Sequence, residues 1–321
     1  MIEYYLAWWN LENLFDTVDS PTRPAWLQQK LAHELRGWDE AVLARKISQL
    51  ASIISQMNQG RGPDILGVCE VENQAVFERL RDALAPLGRN YALAHHDTSD
   101  QRGIDIAFMF DDDLFAFEQQ FDYVVLKRNA TRDLFQVNLR IRASGQALVL
   151  VGNHWPARLG GQYESEPYRI IAAETLSYWQ ERIKEYLGND VAIVVMGDFN
   201  DEPFNRSMTD YALSTQSHAK VLRSRSPRLF NLMWPLMGQA LGSHFFDNFP
   251  GMLDQFLVSK GLLLQSAPLK ARRDSARIER FAEMRTGSYE VPRRFSRPSS
   301  SSFDQDGYSD HFPISMILEA Q

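Results

Sequence analysis

Short apolar segments rich in β-forming residues recur along this sequence, and they restrict its possible folds more than any other pattern. They are short enough for strands and are separated by polar or glycine-containing stretches. We therefore predict that strands dominate the core. The predicted strands are Ile2–Trp9, Ile65–Cys69, Ile104–Phe110, Phe135–Ile141, Leu148–Val151, Val191–Met196, Leu253–Val258 and Ile314–Leu318.

Helical spacing appears between these strands. Apolar residues from Val42 to Met57 recur at intervals of three and four, and the pattern ends before Gly60. Two further segments, Asn73–Leu84 and Pro167–Leu187, have an amphipathic helical pattern. Strands and helices alternate early and strands cluster later, so a mixed α/β (α+β) sheet system covered by helices fits better than a helix bundle or a pure barrel.

Length and charge limit the organisation and the partners. A chain of 321 residues is long for one domain, but no internal repeat divides it, so we predict a single domain over residues 1–321. The net charge of −7 argues against a broad basic surface that binds nucleic acid tightly and non-specifically. Catalytic contact with a phosphodiester remains possible, because metal-binding carboxylates add negative charge where a metal ion restores attraction.

The cysteine count, the hydropathy and the first residues of the chain give predictions about disulfides, membrane insertion and cellular compartment. Cys69 is the single cysteine, which excludes an intrachain disulfide and a Cys-rich zinc site, and we interpret it as a packed strand thiol rather than a nucleophile. No apolar stretch of roughly 18 residues is present, so no membrane insertion is expected. The first ten residues lack a basic region and a cleavage site, which predicts a cytoplasmic protein.

Polar residues with catalytic potential lie at or just beyond the ends of the predicted strands. Singly, each is more typical of a turn, a solvated surface or a structural histidine than of a catalytic site. Their repeated occurrence at strand ends is more informative, because a sheet edge can hold several polar groups rigidly. These candidates are Asn10, Glu70, His154, Asp198, Asn200, Asp254, Asp310 and His311.

The segments around these residues resemble the endonuclease/exonuclease/phosphatase superfamily, and within it a bacterial nuclease subgroup. The resemblance extends from Asn10 to His311, over nearly the whole chain. It implies a four-layer, deoxyribonuclease I-like sandwich, in which two mixed β-sheets pack face to face with helices outside. The matching segments are Trp9-Asn10-Leu-Glu-Asn, Asp64-Ile-Leu-Gly-Val-Cys-Glu70, Asn153-His154, Gly197-Asp198-Phe-Asn200, Leu253-Asp254-Gln255 and Ser309-Asp310-His311.

The resemblance also implies roles for these residues in phosphoester hydrolysis. Glu70 is the expected ligand of Mg²⁺, or of Mn²⁺, with Asn10 and Asp310 as nearby or water-mediated ligands, since hard cations prefer oxygen donors. The remaining residues are expected to act on water, phosphate and leaving group. Asp198 would orient or deprotonate the attacking water, Asn200 would bind a non-bridging oxygen, His311 and His154 would donate to developing charge, and Asp254 would fix His311.

Several assignments stay open at this level. His154 is expected to have a carboxylate partner, either Asp97 or Asp100. Arg102 and Arg158 are candidate substrate-binding residues, with ordinary surface ion pairs as the alternative. A basic stretch late in the chain is either a solvated loop or a phosphate-facing one. It contains Lys270, Arg272, Arg273, Arg277, Arg280, Arg285, Arg293, Arg294 and Arg297.

The leading hypothesis is a metal-dependent phosphodiesterase with nucleic acid as substrate. A phosphatase or phospholipase-type hydrolase of a small-molecule or lipid headgroup phosphoester is the second hypothesis, which the acidic charge favours. A non-catalytic binding protein on the same fold is the third. Within the resemblance, Leu253-Asp254-Gln255 argues against an inositol phosphatase, and Val71-Glu72-Asn73 after Glu70 argues against abasic-site repair.

Overall fold

The structure is a computed structural model that describes residues 2–320 apart from Ser99, Gln101 and Asn129. Five α-helices lie within the described residues, and short 3₁₀ segments and one π-helical turn at Ser207–Tyr211 connect other elements. The α-helices are α1 (Ala25–Leu31), α2 (Glu40–Gly60), α3 (Gln74–Ala83), α4 (Gln162–Leu187) and α5 (His218–Arg223).

Most strands belong to two large mixed sheets. The strands are β1 (Ile2–Leu14), β2 (Ile65–Val71), β3 (Tyr91–His95), β4 (Asp105–Asp111), β5 (Phe115–Tyr123), β6 (Leu134–Ile141), β7 (Ala147–His154), β8 (Ala192–Asp198), β9 (Ser214–Thr215), β10 (Leu229–Asn231), β11 (His244–Phe246), β12 (Phe249–Gly251), β13 (Asp254–Val258), β14 (Leu269–Ala271), β15 (Arg277–Ile278), β16 (Arg285–Thr286), β17 (Val291–Pro292) and β18 (Ile314–Ala320). The first sheet has the order β14-β18-β1-β2-β4-β3, with β15 also on β18, and the second has the order β5-β6-β7-β8-β13-β10-β9. Two small ribbons, β11-β12 and β16-β17, lie apart from them.

The two sheets pack face to face, and helices cover their outer faces. Trp8 and Phe108 of the first sheet and Phe135 and Met196 of the second belong to one buried cluster between the sheets. A second cluster joins β1, β2 and β4 to α2 and α3, and a third joins β7 and β8 to α4. The arrangement is the predicted four-layer sandwich, because each sheet must bury apolar side chains on both faces.

The predicted central strands and the helices α2 and α3 are confirmed, with boundaries that differ by a few residues. Asp39 caps α2 and Asn73 caps α3, each accepting a hydrogen bond from a backbone N–H of the first turn. The predicted start of the fourth helix at Pro167 was wrong, since α4 begins at Gln162, directly after Gly161. Pro167 lies inside α4, in its second turn, and does not mark the start of the helix.

Among the described residues, ten of the eighteen strands were not predicted. Eight of these have only two or three residues, and the other two are the longer strands β3 and β5. β3 has the short sequence Tyr91-Ala-Leu-Ala-His95, and β5 is an edge strand with mostly exposed residues between Phe115 and Tyr123. Neither has the apolar pattern that indicates a buried strand. The Cys69 thiol is fully buried within β2, as expected for a packed residue, and burial raises its pKa well above the ordinary value. Within the described residues, no helix is both long and apolar enough to cross a membrane.

Candidate active site

The register of the strands brings the ends of both sheets together at one end of the sandwich. β1 runs parallel to β2, and β7 runs parallel to β8, with His154 opposite Asp198 in the last pair. β13 is antiparallel to β8 and starts with Asp254 opposite the same Asp198. In the first sheet, β18 is antiparallel to β1, so the residues before Ile314 lie beside the end of β1. Residues distant in sequence therefore meet at this edge.

Gly197 allows the close approach of β7 and β8 at this edge. A Cβ at position 197 would lie 2.4 Å from the carbonyl oxygen of Asn153, closer than real side-chain carbons come to backbone atoms. Asn153 itself is structural, because its side chain donates to the Val151 carbonyl and accepts from the Trp155 indole N–H. The glycine before Asp198 thus fixes that carboxylate close to His154.

Non-glycine residues with positive φ cluster around the site. Glu70 has φ +66° where the β2–β4 register shifts, and Glu12 and Asn13 have φ of +52° and +57° where the β1–β2 register shifts. Asn200 follows with φ +50°. Bulges of this kind redirect side chains from a sheet edge, and positive φ is energetically unfavourable for such residues. The backbone is therefore distorted where the candidate residues are presented.

Asp254 and His311 form a buried hydrogen-bonded pair, as expected. The His311 Nδ1 lies 2.6 Å from Asp254 Oδ2, and Asp254 Oδ1 accepts a 3.1 Å hydrogen bond from the Trp8 indole. Burial lowers the His311 pKa, but the charges of Asp254 and Asp198 outweigh it and raise the pKa well above the ordinary value. The imidazole is thus held as a cation with its Nε2 turned towards Asp198, at 3.9 Å from Oδ2.

Asp198 occupies the centre of the site. Its Oδ2 accepts a 3.1 Å hydrogen bond from the Asn10 amide and lies 3.7 Å from His154 Nε2. Burial raises the pKa of Asp198 to about 6, and the charge of Asp254 adds to this shift, while His311 and the Asn200 N–H oppose it. A carboxylate with a raised pKa and several polar neighbours is suited to accept a proton from water.

His154 does not contact either of its two expected partners. Its Nδ1 is buried without a hydrogen-bond partner among the described residues, and its Nε2 lies 3.6 Å from Glu70 Oε1. The expected pairing with Asp97 or Asp100 was wrong. Asp100 instead faces Arg132, and Asp97 is largely exposed and lies near His95.

The charges around His154 favour its neutral form. Burial lowers the pKa of His154 well below the ordinary value, and the positive charges of Arg132, Arg102 and His311 lower it further. The Arg132 guanidinium forms an ion pair with Asp100. It also donates a hydrogen bond to the carbonyl of Trp155, the residue after His154. The second histidine of the site is therefore neutral, unlike His311.

Glu70 is held at the edge of β2 by one backbone group and one arginine. Its Oε2 accepts a 2.8 Å hydrogen bond from the Asn13 N–H, and its Oε1 lies 3.4 Å from the Arg102 guanidinium. Arg102 also donates to the Asn13 side chain, and its own side chain is 44% exposed. The structure thus brings Arg102 to the site, with part of its guanidinium open to solvent.

A group of charged residues beside Asp310 was not predicted. Arg294 pairs with the buried Glu12 at 2.7 Å and lies 3.5 Å from Asp310 Oδ2. Lys46 of α2 is fully buried and donates to the Tyr308 carbonyl, and burial lowers its pKa to about 8 although Glu12 and Asp310 oppose the shift. The available sequence signals were a lysine on a buried helical face and a glutamate two residues after Asn10.

Asn200 and Arg158 lie on the other side of Asp198. The Asn200 N–H donates to Asp198 Oδ1 at 2.9 Å, and its side-chain amide donates to the Trp155 carbonyl. Arg158 donates to the Asn200 carbonyl and lies 3.3 Å from Asp201. Both residues are thus held by the protein, and Arg158 is less available to a substrate than Arg102.

The late basic stretch contains several arginines that form ion pairs. Most of these pairs are with carboxylates that lie outside the candidate site. Arg272 binds Glu3 and Glu319, and Arg280 and Arg285 share Glu290. Arg293 pairs with Asp304 and Arg297 with Glu34. These contacts favour the solvated-loop interpretation, with Arg294 as the member that reaches the site.

The oxygen donors of the site fit a hard divalent cation. Glu70, Asp310 and the Asn10 amide offer oxygens. Burial lowers the pKa of Arg102, but the charges of carboxylates that include Glu70 and Asp310 outweigh it and raise that pKa, so both carboxylates act on the same guanidinium. Atoms of Asp198, Asp254 and His311 lie within 4.8 Å of one another and form a second conceivable ligand set. That set fits less well, because Asp254 already uses one oxygen for His311 and the other for Trp8.

Comparison with known proteins gives a match over nearly the whole chain. Residues 5–320 match the model of the Endonuclease/Exonuclease/phosphatase family. A comparison with curated proteins found no match to this sequence.

Solved structures share the fold at low sequence identity. The catalytic domain of human Nocturnin with bound sulfate has 18% identity and a TM-score of 0.57, over 99% of this chain and 95% of its own. The Bacteroides thetaiotaomicron mannosyl-6-phosphatase Bt3783 has 17% identity and a TM-score of 0.59, over 98% and 99%. D. rerio TDP2 complexed with a single-strand DNA product has 14% identity and a TM-score of 0.60, over the full length of both chains. These similarities establish the fold.

Proposed function

The chain is a phosphoester hydrolase of the endonuclease/exonuclease/phosphatase family, and we propose that it is a divalent-metal-dependent phosphodiesterase that acts on nucleic acid. The observation that carries this proposal is the convergence of a charged His311–Asp254 pair, a central Asp198 and the Glu70 carboxylate at one sheet edge. Hydrolysis of a phosphoester demands large barrier reductions, on the order of 20 kcal/mol, and no single acid or base supplies that alone. Several groups must act together.

The residues around Asp198 support water activation. Asp198 Oδ2 is directed by Asn10, and its raised pKa suits it to take a proton from a water molecule placed for in-line attack. The Asn200 backbone N–H holds the second oxygen, so the carboxylate orientation is fixed. Asn200 has a further amide hydrogen that can meet a non-bridging phosphoryl oxygen.

His311 and His154 support charge stabilisation on the phosphoryl group. The His311 cation, fixed by Asp254, presents Nε2–H to the site, and His154 presents its Nε2 from the opposite sheet. The His154 Nδ1 has no acceptor among the described residues, so the imidazole proton is better placed on Nε2, where it can donate to a phosphoryl oxygen. Arg102 is the candidate for contact with a flanking phosphate.

A divalent cation, Mg²⁺ or Mn²⁺, would be held by Glu70, with Asn10 and Asp310 nearby. Bound there, it would supply Lewis-acid stabilisation of phosphoryl and leaving-group oxygens. The protein's own part is to fix the Glu70 carboxylate through the Asn13 N–H and the strained backbone at its position.

A phosphatase or phospholipase-type hydrolase of a small or lipid headgroup phosphoester is the second candidate. The net charge of −7 favours it, because a long polyanion would be repelled by much of the surface. The ion pairing of most late arginines adds to that argument, since it reduces the positive charge available to a polyanion.

One substrate panel separates these candidates. The purified protein is assayed on plasmid, single-stranded DNA, RNA, a phosphodiester chromogen and a phosphomonoester chromogen, each with Mg²⁺, Mn²⁺ or EDTA. The proposal predicts that nucleic acid and the diester are cleaved with metal and spared in EDTA. Cleavage of the monoester alone would favour the second candidate, and inactivity on all substrates would favour a binding protein.

A further inference from the structure

A histidine and two aspartates from three different segments meet at the edge of the sandwich, and none of the three has been assigned a role above. His96 directly follows β3 of the first sheet, Asp122 lies in β5, and Asp133 directly precedes β6 of the second sheet. Asp122 is the register partner of Phe135, whose ring packs between the sheets, so its side chain leaves β5 on the inter-sheet face. The three side chains thus connect the two sheets.

The spacing of their ligand atoms matches that of a metal site. The His96 Nε2 lies 3.5 Å from Asp122 Oδ2, and atoms of all three residues lie within 4.8 Å of one another. Tetrahedral coordination at zinc–ligand distances near 2 Å separates neighbouring ligands by about 3.4 Å. The pair that is already closest therefore needs little movement to share an ion.

Asp133 provides a second, independent indication of a ligand. The residue is only 6% exposed, and its Oδ1 is buried without a hydrogen-bond partner in the part of the chain that the structure describes. Among the same residues, no lysine or arginine pairs with Asp122 or Asp133, and the ion pair of Asp122 is with His96. The Val125 backbone N–H also donates to the Asp133 carboxylate, so Oδ1 is the oxygen left without a partner. A buried carboxylate oxygen without a partner is energetically unfavourable, and a bound cation would compensate it.

We infer that His96, Asp122 and Asp133 form a second binding site, for a divalent transition-metal cation such as Zn²⁺, that links the two sheets at their edge. One neutral imidazole and two carboxylates balance the charge of a divalent cation. The imidazole nitrogen favours a transition metal over Mg²⁺ or Ca²⁺, which prefer oxygen ligands alone. His96 and Asp122 are 38% and 44% exposed, so the ion can enter from solvent.

The site would stabilise the chain around the active site. His96 begins the connection from β3 to β4, and the same connection carries Arg102 to Glu70. An ion bound by His96 would tie the start of this connection to the second sheet. Its role is therefore structural, and it does not depend on the proposed nucleic-acid function.

A neighbouring group, His95 with Asp97 and Asp105, is the competing location. The His95 Nε2 is also buried, has no hydrogen-bond partner in the described part of the chain, and lies 3.7 Å from Asp105 Oδ2. However, Asp105 Oδ1 is already occupied by the Thr98 N–H and hydroxyl, and the His95 ring faces its two carboxylates with different nitrogens. One ion cannot use both nitrogens, so this group fits less well.

The test is Zn²⁺ retention after metal stripping. Wild type, Asp133→Asn, His96→Gln, Asp105→Asn and Glu70→Gln are treated with EDTA, incubated with Zn²⁺ alone, gel-filtered and analysed for bound metal. We expect one tightly held equivalent in wild type, Asp105→Asn and Glu70→Gln, and its loss in Asp133→Asn and His96→Gln. No retained Zn²⁺ in wild type, or loss in Asp105→Asn but not in Asp133→Asn, would overturn the proposal.

Thermal unfolding gives a second readout that does not depend on catalysis. Zn²⁺ should raise the Tm of wild type and Glu70→Gln by about 2 °C or more, and leave that of Asp133→Asn unchanged. In EDTA, Asp133→Asn should be at least as stable as wild type, because it removes an unpaired buried charge. A variant that unfolds at lower temperature in EDTA yet gains the wild-type shift with Zn²⁺ would assign Asp133 an ordinary packing role.

Discussion

The contact between Asp254 and His311 makes a quantitative prediction about catalysis. Asp254 uses Oδ1 to accept from Trp8 and Oδ2 to accept from His311. In Asp254→Asn the amide oxygen must stay at Trp8, because an indole N–H can only donate. The amide NH₂ then faces His311 Nδ1, which must lose its proton to accept, so the imidazolium form is disfavoured.

The expected size of this effect follows from the roles of the two residues. A positioned general acid typically contributes about 10²–10⁴ in rate, or roughly 3–5 kcal/mol. If Asp254 acts only by orienting and charging His311, Asp254→Asn and His311→Ala each remove the same contribution. The double variant should then lose little more in kcat than the worse single variant, because residues that act as a unit are not additive.

The assay is kcat for both single variants and the double variant on the best substrate of the panel. Circular dichroism and thermal unfolding check that each variant is folded. Asp111→Asn is a matched control, since Asp111 is also a buried aspartate but pairs with Arg89. Losses that multiply to about 10⁴–10⁸ in the double variant would refute the pair as a unit, and near-normal kcat of His311→Ala would refute the assigned site.

The remaining predictions concern metal binding, substrate contact and stability. Glu70→Gln removes one anionic ligand, so it should raise the Mg²⁺ concentration needed for half-maximal activity at least about tenfold. The free energy of unfolding without metal should stay nearly unchanged. Wild-type activity of this variant at limiting Mg²⁺ would contradict the assignment. Arg102→Gln should reduce the slope of log kcat/KM against log salt on single-stranded DNA by about 0.7. Arg293→Gln, which loses ion pairs with Asp304 and Asp306, should leave this slope unchanged; equal slopes for both variants would argue against a phosphate contact. Arg23→Met should lower the free energy of unfolding by about 3–5 kcal/mol, because it leaves Glu72 buried without its bidentate partner. Urea denaturation measures this loss. The double variant Arg23→Met/Glu72→Met, measured in parallel, should recover most of it.

The sequence predicted the central strands and two of the helices well, because their apolar patterns reflect burial in the final fold. β2 and β8 are buried along their whole length and appear as continuous apolar runs. β5 escaped prediction because an edge strand exposes most of its side chains. The start of α4 was misplaced because Pro167 lies inside the helix.

The site was less predictable, since pairings across the two sheets leave no local signal. The contact of Asp254 with His311 followed from the family resemblance, and the structure contains it. The predicted carboxylate partner of His154 was wrong, because Asp100 forms an ion pair with Arg132 instead. Glu12, Lys46 and Arg294 were missed as a group, because their proximity depends on α2 packing beside the segment before β18.

If this sheet edge hydrolyses phosphodiesters with a divalent metal, cleavage depends both on the metal and on His311. The most direct measurement is the initial rate of single-stranded oligonucleotide cleavage by the wild-type protein in Mg²⁺, after EDTA, and after Mg²⁺ is restored, with His311→Ala in parallel. We expect cleavage in Mg²⁺, a fall in rate of at least about 10²-fold in EDTA, full recovery when Mg²⁺ is restored, and no comparable rate for His311→Ala. Cleavage that persists in EDTA, or that His311→Ala retains, would contradict it.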